Sequence, residues 1–127
     1  MEYTKEMKER TETLGADWKD EGDGYYSLLG STDFGFLVCY IAIPISHRLV
    51  GTEFDELDVD VNGGLTFSKG NVFGWDYAHN TNDYNYNQHI KNAIEFFKEE
   101  GRYKIIAVAT DDEHDEVYYE KVLVEDD

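Results

Sequence analysis

Three residues invite a metal reading: His47, Asp76 and His79. Imidazole and carboxylate are ordinary ligands of zinc, iron and manganese, and such a set with an open position suits hydrolysis. Asp76 and His79 stand three apart, and His47 can reach them across a sheet. Against this, the chain has neither an HExxH motif nor paired cysteines, and a loop histidine more often serves as a hydrogen-bonding structural residue. A second candidate is Asp58-Val59-Asp60-Val61-Asn62-Gly63, with Thr66 behind it, which opens like the calcium loop D-x-D-x-N-G. The twelfth position of that loop calls for a bidentate glutamate and holds Lys69. A β-hairpin accounts for every residue of the segment without an ion: the valines alternate and Asn62-Gly63 supplies the turn.

Nucleophiles and phosphate cradles are equally thin. Ser46 and His47 are chain neighbours, so in an extended backbone they point to opposite sides. There is no GxSxG elbow. Cys39 lies in an apolar run, where burial raises a thiol pKa and makes it inert. Gly22-Asp23-Gly24 is flanked by acid, which repels phosphate. Trp75, Tyr77, Tyr84 and Tyr86 either line a pocket or fill a core and anchor a loop. The residue chemistry names no reaction, and no cofactor is expected.

Charge is the stronger signal. The 127 residues carry 28 Asp and Glu against 11 Lys and Arg, a formal net charge of −17. Such a field repels DNA, RNA and anionic membranes and attracts basic surfaces. It keeps a protein dissolved, and it also imitates nucleic acid toward a basic partner. The acid gathers in three clusters: Asp17 to Asp23, Glu53 to Asp60, and Asp111 to Glu116 with the tail. Same-face carboxylates on a strand, such as Asp58 and Asp60, lie about 6.6–7 Å apart, close to the phosphate spacing along one nucleic-acid strand. The candidate partner-binding residues are therefore Asp58, Asp60, Asp111, Asp112, Glu113, Asp115 and Glu116, with Tyr84 and Tyr86 as aromatic anchors.

These groups need a frame, and the pattern supplies one α+β domain over residues 1–127. Residues 2 to 13 read as a short helix of mixed charge with few apolar positions; the segment 1–16 is expected to be loosely attached at the edge. Asp23-Gly24 marks a turn before a strand at Tyr25 to Leu29. Phe34 to Ile43 is nearly all apolar and reads as a central strand covered on both faces, ended by Pro44. Leu57 to Val61 and Leu65 to Ser68 read as a hairpin, followed by a strand at Val72 to Tyr77. Asn80 to Asn87 is a loop. Asn87 to Glu100 is an amphipathic helix with Ile90, Ala93, Ile94 and Phe97 on its apolar stripe, closed by Gly101. Tyr103 to Ala109 and Val117 to Val124 form a second hairpin, and residues 125–127 are a frayed tail. The sheet is expected to be mostly antiparallel, with the long helix laid on one face. One cysteine and no apolar leader point to a reducing cytoplasm, and no apolar run is long enough to span a membrane.

Between Cys39 and His79 the sequence resembles a family of small phage and prophage proteins whose members carry GYxxVPxxHPLYG, then an acidic stretch, then VxVHGGLTF or VHGGLTY, then FGxDxAH. The matching residues are Tyr40, Ile41, Pro44, His47, Leu49 and Gly51; then Asp58 to Asp60, Val61, Gly63, Gly64, Leu65, Thr66 and Phe67; then Phe73, Gly74, Asp76, Ala78 and His79. The chain departs from the pattern at Asn62, where relatives carry histidine, and at Arg48, where they carry proline. The resemblance implies a phage setting and no particular mechanism. With the charge, that setting leads to an expected counter-defence inhibitor, anti-CRISPR in kind. It would bind a basic nucleic-acid-binding groove of a host effector such as a CRISPR nuclease, without binding nucleic acid or membrane itself. The alternative is a metal-dependent or small-molecule-binding protein centred on His47, Asp76 and His79.

Overall fold

The computed structural model describes residues 3–78, 84–108 and 118–123. The fold is α+β. A five-stranded sheet in the order β1-β2-β3-β5-β4, antiparallel throughout, carries one helix on each face, and a separate hairpin follows. Its strands are β1 (Lys19–Gly22), β2 (Tyr25–Ser31), β3 (Leu37–Ala42), β4 (Phe67–Lys69) and β5 (Val72–Asp76). The helices are α1 (Lys5–Leu14) and α2 (Tyr86–Glu100). The hairpin pairs β6 (Tyr103–Val108) with β7 (Tyr118–Leu123), from Tyr103 opposite Leu123 to Val108 opposite Tyr118. Among the described residues no helix is long and apolar enough to cross a membrane.

The alternation of β3 builds two cores. Cys39 and Ile41 face α2 and share a cluster with Phe73, Trp75, Ala93 and Phe97. Val38, Tyr40 and Ala42 face the other way, toward Met7 of α1, Trp18 and Leu28. The central strand is thus covered on both sides, as its unbroken apolar run implies. It is shorter than its sequence pattern: Phe34 is 90% exposed and precedes the ladder. β5 pairs beside it in the same sheet, with Gly74 opposite Tyr40. A Cβ on Gly74 would lie 2.6 Å from Tyr40 Cε1 and 3.0 Å from the Cys39 carbonyl oxygen, so the ring rests on bare backbone.

α1 is seated on the sheet and is not loosely attached at its edge. Met7 is 1% exposed, its carbonyl accepts a bond from Trp18 Nε1 at 3.0 Å, and the Thr4 hydroxyl donates to Asn71 Oδ1 at 2.7 Å. One deeply buried side chain and two bonds anchor a helix whose composition is otherwise polar. β1 lies in a polar stretch that carries no strand pattern. It forms because Asp23 (φ 57°) and Gly24 (φ 87°) make a two-residue turn that folds Lys19–Gly22 back onto β2.

The hairpin expected over Leu57 to Ser68 does not form. A 3-10 turn occupies Phe54–Glu56, residues 57–60 lie outside the sheet, and β4 pairs with β5. The alternation survives as burial: Val59 and Val61 are in the core while Asp58 and Asp60 are exposed. The polar groups of the loop bond elsewhere. Asn62 Nδ2 donates to the Asp76 carbonyl at 3.1 Å, and the Asp60 carbonyl accepts from Asn92 Nδ2 of α2 at 3.1 Å.

α2 buries His89, Ala93, Ile94 and Phe97, with Ile90 at the margin of the core. Gly101, which follows it, keeps ordinary right-handed backbone (φ −68°). Space there is tight: a Cβ would stand 3.0 Å from His47 Nε2 and 3.2 Å from the Phe97 carbonyl oxygen.

Candidate functional site

The acidic surface takes shape at residues 53–60. Phe54, Leu57 and Val59 pack into the α2-side core. Ser68 Oγ accepts the Phe54 N–H at 3.0 Å, and the Leu57 N–H closes a turn onto the Phe54 carbonyl at 3.1 Å. With the apolar residues pinned inward, Glu53, Asp55, Glu56, Asp58 and Asp60 are all turned to solvent. No basic residue interrupts the segment. Among the described residues, none of these five carboxylates forms an ion pair; the ion pairs there engage Glu9, Glu21, Asp23, Glu99 and Glu100. Asp60 has only an amide neighbour, Asn92 Nδ2 at 3.5 Å. The result is a short acidic ridge backed by the core, whose Glu56 and Asp58 share a depression with Arg48 and Lys121.

The other sequence-derived candidates divide. Asp111, Asp112, Glu113, Asp115 and Glu116 lie outside the described residues, as do His79, Asn80 to Asp83, His114 and the 125–127 tail. Tyr84 is 55% exposed and stacks on Tyr77 with ring centroids 6.0 Å apart. Tyr86 opens α2 half-buried against the core. The Asn92–Asp60 bond sets one end of the ridge beside α2. Residues 86 and 92 of that helix are about 9 Å apart along its axis.

Of the metal set, His79 lies outside the described residues, and the other two members, His47 and Asp76, do not meet. His47 is buried with both ring nitrogens engaged. Nε2 lies 2.6 Å from the Phe97 carbonyl oxygen and donates to it, and Nδ1 accepts the Leu49 N–H at 3.0 Å. This tautomer leaves no lone pair for an ion. Burial depresses the His47 pKa, the bond to Phe97 partly opposing it. Asp76 sits at the far end of the strands. Ile43, just before the His47 loop, bonds to the Asn71 carbonyl at the Val72 end of β5, whereas Asp76 is at the other end, about 13 Å along. Its carboxylate accepts from the Ala78 N–H at 3.1 Å and from the Thr66 hydroxyl at 3.3 Å. Among the described residues no three His, Cys, Asp or Glu side chains converge to hold a metal ion.

One buried polar pair escaped the sequence reading. Tyr77 OH lies 2.6 Å from His89 Nδ1 and accepts from Trp75 Nε1 at 3.1 Å. The clue was present in the helical spacing, because His89, Ala93 and Phe97 recur four apart on one face. Cys39 sits in the same core, its thiol pushed up to about 12 by burial, with a bond to Tyr77 working against the rise.

Compared with family models, curated proteins and solved structures, the chain matches none.

Proposed function

We propose that this protein is a non-catalytic inhibitor that occupies a basic, nucleic-acid-binding surface of a host protein. The observation that carries the reading is the ridge at residues 53–60, where five exposed carboxylates stand on buried Val59 and half-buried Phe54 and Leu57 without a cation beside them in the sequence. A backing of this kind lowers the entropy lost on docking, because the charges are already held in one arrangement. Complementary potential then governs encounter and partner choice. The setting of phage counter-defence, with a CRISPR nuclease or similar effector as target, is what the resemblance between Cys39 and His79 contributes. Tyr84 supplies an exposed ring close to where α2 begins.

The test is displacement of bound nucleic acid from a purified nucleic-acid-binding effector of the host. The parent protein competes at low salt and loses affinity steeply between about 50 and 200 mM salt. A variant with Glu53→Gln, Asp55→Asn, Glu56→Gln, Asp58→Asn and Asp60→Asn keeps its thermal unfolding transition and loses competition. Competition that ignores salt, or that survives in the neutralised variant, overturns the reading.

A further inference from the structure

The few cations of this chain are not spread evenly. A groove of about 550 Å³ opens where the end of α2 meets the start of β6, and its walls hold Arg48, Lys98, Arg102 and Lys104. Asp23 is the one carboxylate among the residues that line it. Glu99 and Glu100 stand just behind, paired with Arg102 and Arg48 respectively, and Glu100 also holds Lys121. Four of the chain's 11 Lys and Arg thus line one depression of a protein with a net charge of −17. The distribution runs against the composition, and solubility does not call for it.

The ordinary reading is that cations gather at a helix C-terminus to offset its dipole. Here that end is already satisfied by other groups. The Phe97 carbonyl is met by His47 Nε2, by Tyr25 OH at 3.4 Å and by the Gly101 N–H at 2.8 Å. Arg48 Nε serves the Glu100 carbonyl at 3.2 Å, and the Arg102 N–H serves that of Glu99 at 3.1 Å. The charged ends of Lys98, Arg102 and Lys104 are therefore left for the groove. Lys98 reaches Asp23, whose side chain is 82% exposed, and Arg102 reaches Glu99, 56% exposed. Exposed pairs of this kind are weak and readily exchanged. Lys104 has no carboxylate partner among the described residues.

We propose that this groove is a binding site for a phosphate-bearing small molecule. A single carboxylate would only exchange one weak partner for another. A phosphoryl group brings more charge and three acceptor oxygens, enough to draw Lys98 and Arg102 from their present partners and to take Lys104 as well. Arg102 lies in the turn that closes α2 and Lys104 is the second residue of β6, so both stand at the junction that the groove occupies. The groove is within the size range of small-ligand pockets. At physiological ionic strength screening acts over about 8 Å, so charges beyond that range act only weakly on the groove. Arg48 also lines the neighbouring depression that holds Glu56 and Asp58 of the ridge, but the proposal rests on Lys98, Arg102 and Lys104, and neither reading depends on the other.

Calorimetric titration of the full chain with inorganic pyrophosphate and with ADP tests the proposal. Binding to at least one probe is expected with a Kd at or below about 1 mM. Affinity should drop about tenfold or more in the double variant Arg102→Gln/Lys104→Gln, which loses two charge-assisted partners. The double variant Lys5→Gln/Lys8→Gln removes the same charge from exposed positions of α1 and serves as the control; it should bind like the parent. ADP binding more tightly than pyrophosphate assigns a nucleotide, and equal affinities assign the phosphoryl groups alone. Absence of binding by both probes overturns the site, as does equal weakening in the two double variants, which would mean that only overall charge matters. Thermal unfolding of each variant shows that the fold is intact.

Discussion

Replacing Met7 by alanine asks whether α1 belongs to the folded body. The side chain is 1% exposed and lies among Trp18, Tyr26, Leu28, Val38 and Tyr40. Burial of this depth sets the cost of truncation at about 2–5 kcal/mol, the range depending on how far the surroundings collapse into the gap. Collapse is restricted here. Trp18 is tied to the Met7 carbonyl, and the Tyr40 ring is held against Gly74. The polar loss is small, since Asn71 Nδ2 contacts Met7 Sδ at 3.7 Å but keeps its bond to the Ile43 carbonyl at 2.9 Å. A value of about 3 kcal/mol follows. For a domain of this size that lowers Tm by about 12 °C. Urea unfolding followed by circular dichroism and by tryptophan fluorescence measures it, with Glu12→Ala, exposed on the same helix, changing stability by less than about 0.5 kcal/mol. A Met7→Ala loss below about 1 kcal/mol with an unchanged denaturant slope would refute the two-sided core.

Two further outcomes are expected. His47 is neutral in the fold and its pKa is depressed by burial, so the unfolded chain takes up its proton more readily. Its contribution to stability is therefore complete above about pH 6.5 and is lost as pH falls toward the depressed folded value. Between pH 7.5 and 5.5 the parent should lose more stability than His47→Gln, and parallel pH slopes in the two proteins would contradict the assignment. Cys39, 0% exposed and with its thiol pushed up to about 12, should resist a thiol reagent at pH 8 until urea unfolds the protein. Labelling of the native protein at the rate of a free thiol would show that the core is open.

The parts of the fold that depend on apolar pattern were legible in the sequence. β3 declares itself by an unbroken apolar run, and α2 by Ala93, Ile94 and Phe97 at helical spacing. The parts that depend on a few tertiary contacts were not. β1 has no strand pattern and forms through the turn at Asp23-Gly24, and the seating of α1 rests chiefly on Met7. The alternation of residues 57–61 described burial correctly and pairing wrongly, because period-two patterning reports which side chains go inward and is silent about which strand takes the hydrogen bonds. His47 and Asp76 are kept apart for a related reason. The His47 loop follows the strand end beside Val72, Asp76 lies at the other end of β5, and the nitrogens of His47 are claimed by backbone. Asp58 and Asp60 were readable as surface charge from the same alternation. The clustering of Arg48 with Arg102 and Lys104 was not readable, since it depends on α2 returning past the His47 loop.

The two-sided burial of β3 removes a safeguard that most strands have. With apolar residues on both faces, a shift of one position would still hide hydrocarbon, so polarity cannot tell right alignment from wrong. What remains is shape. Tyr40 fits only where its neighbour has no side chain, and sliding by one in either direction would drive its phenol into Phe73 or Trp75. A single missing methyl group at Gly74 thereby acts as the notch by which the two strands find their place.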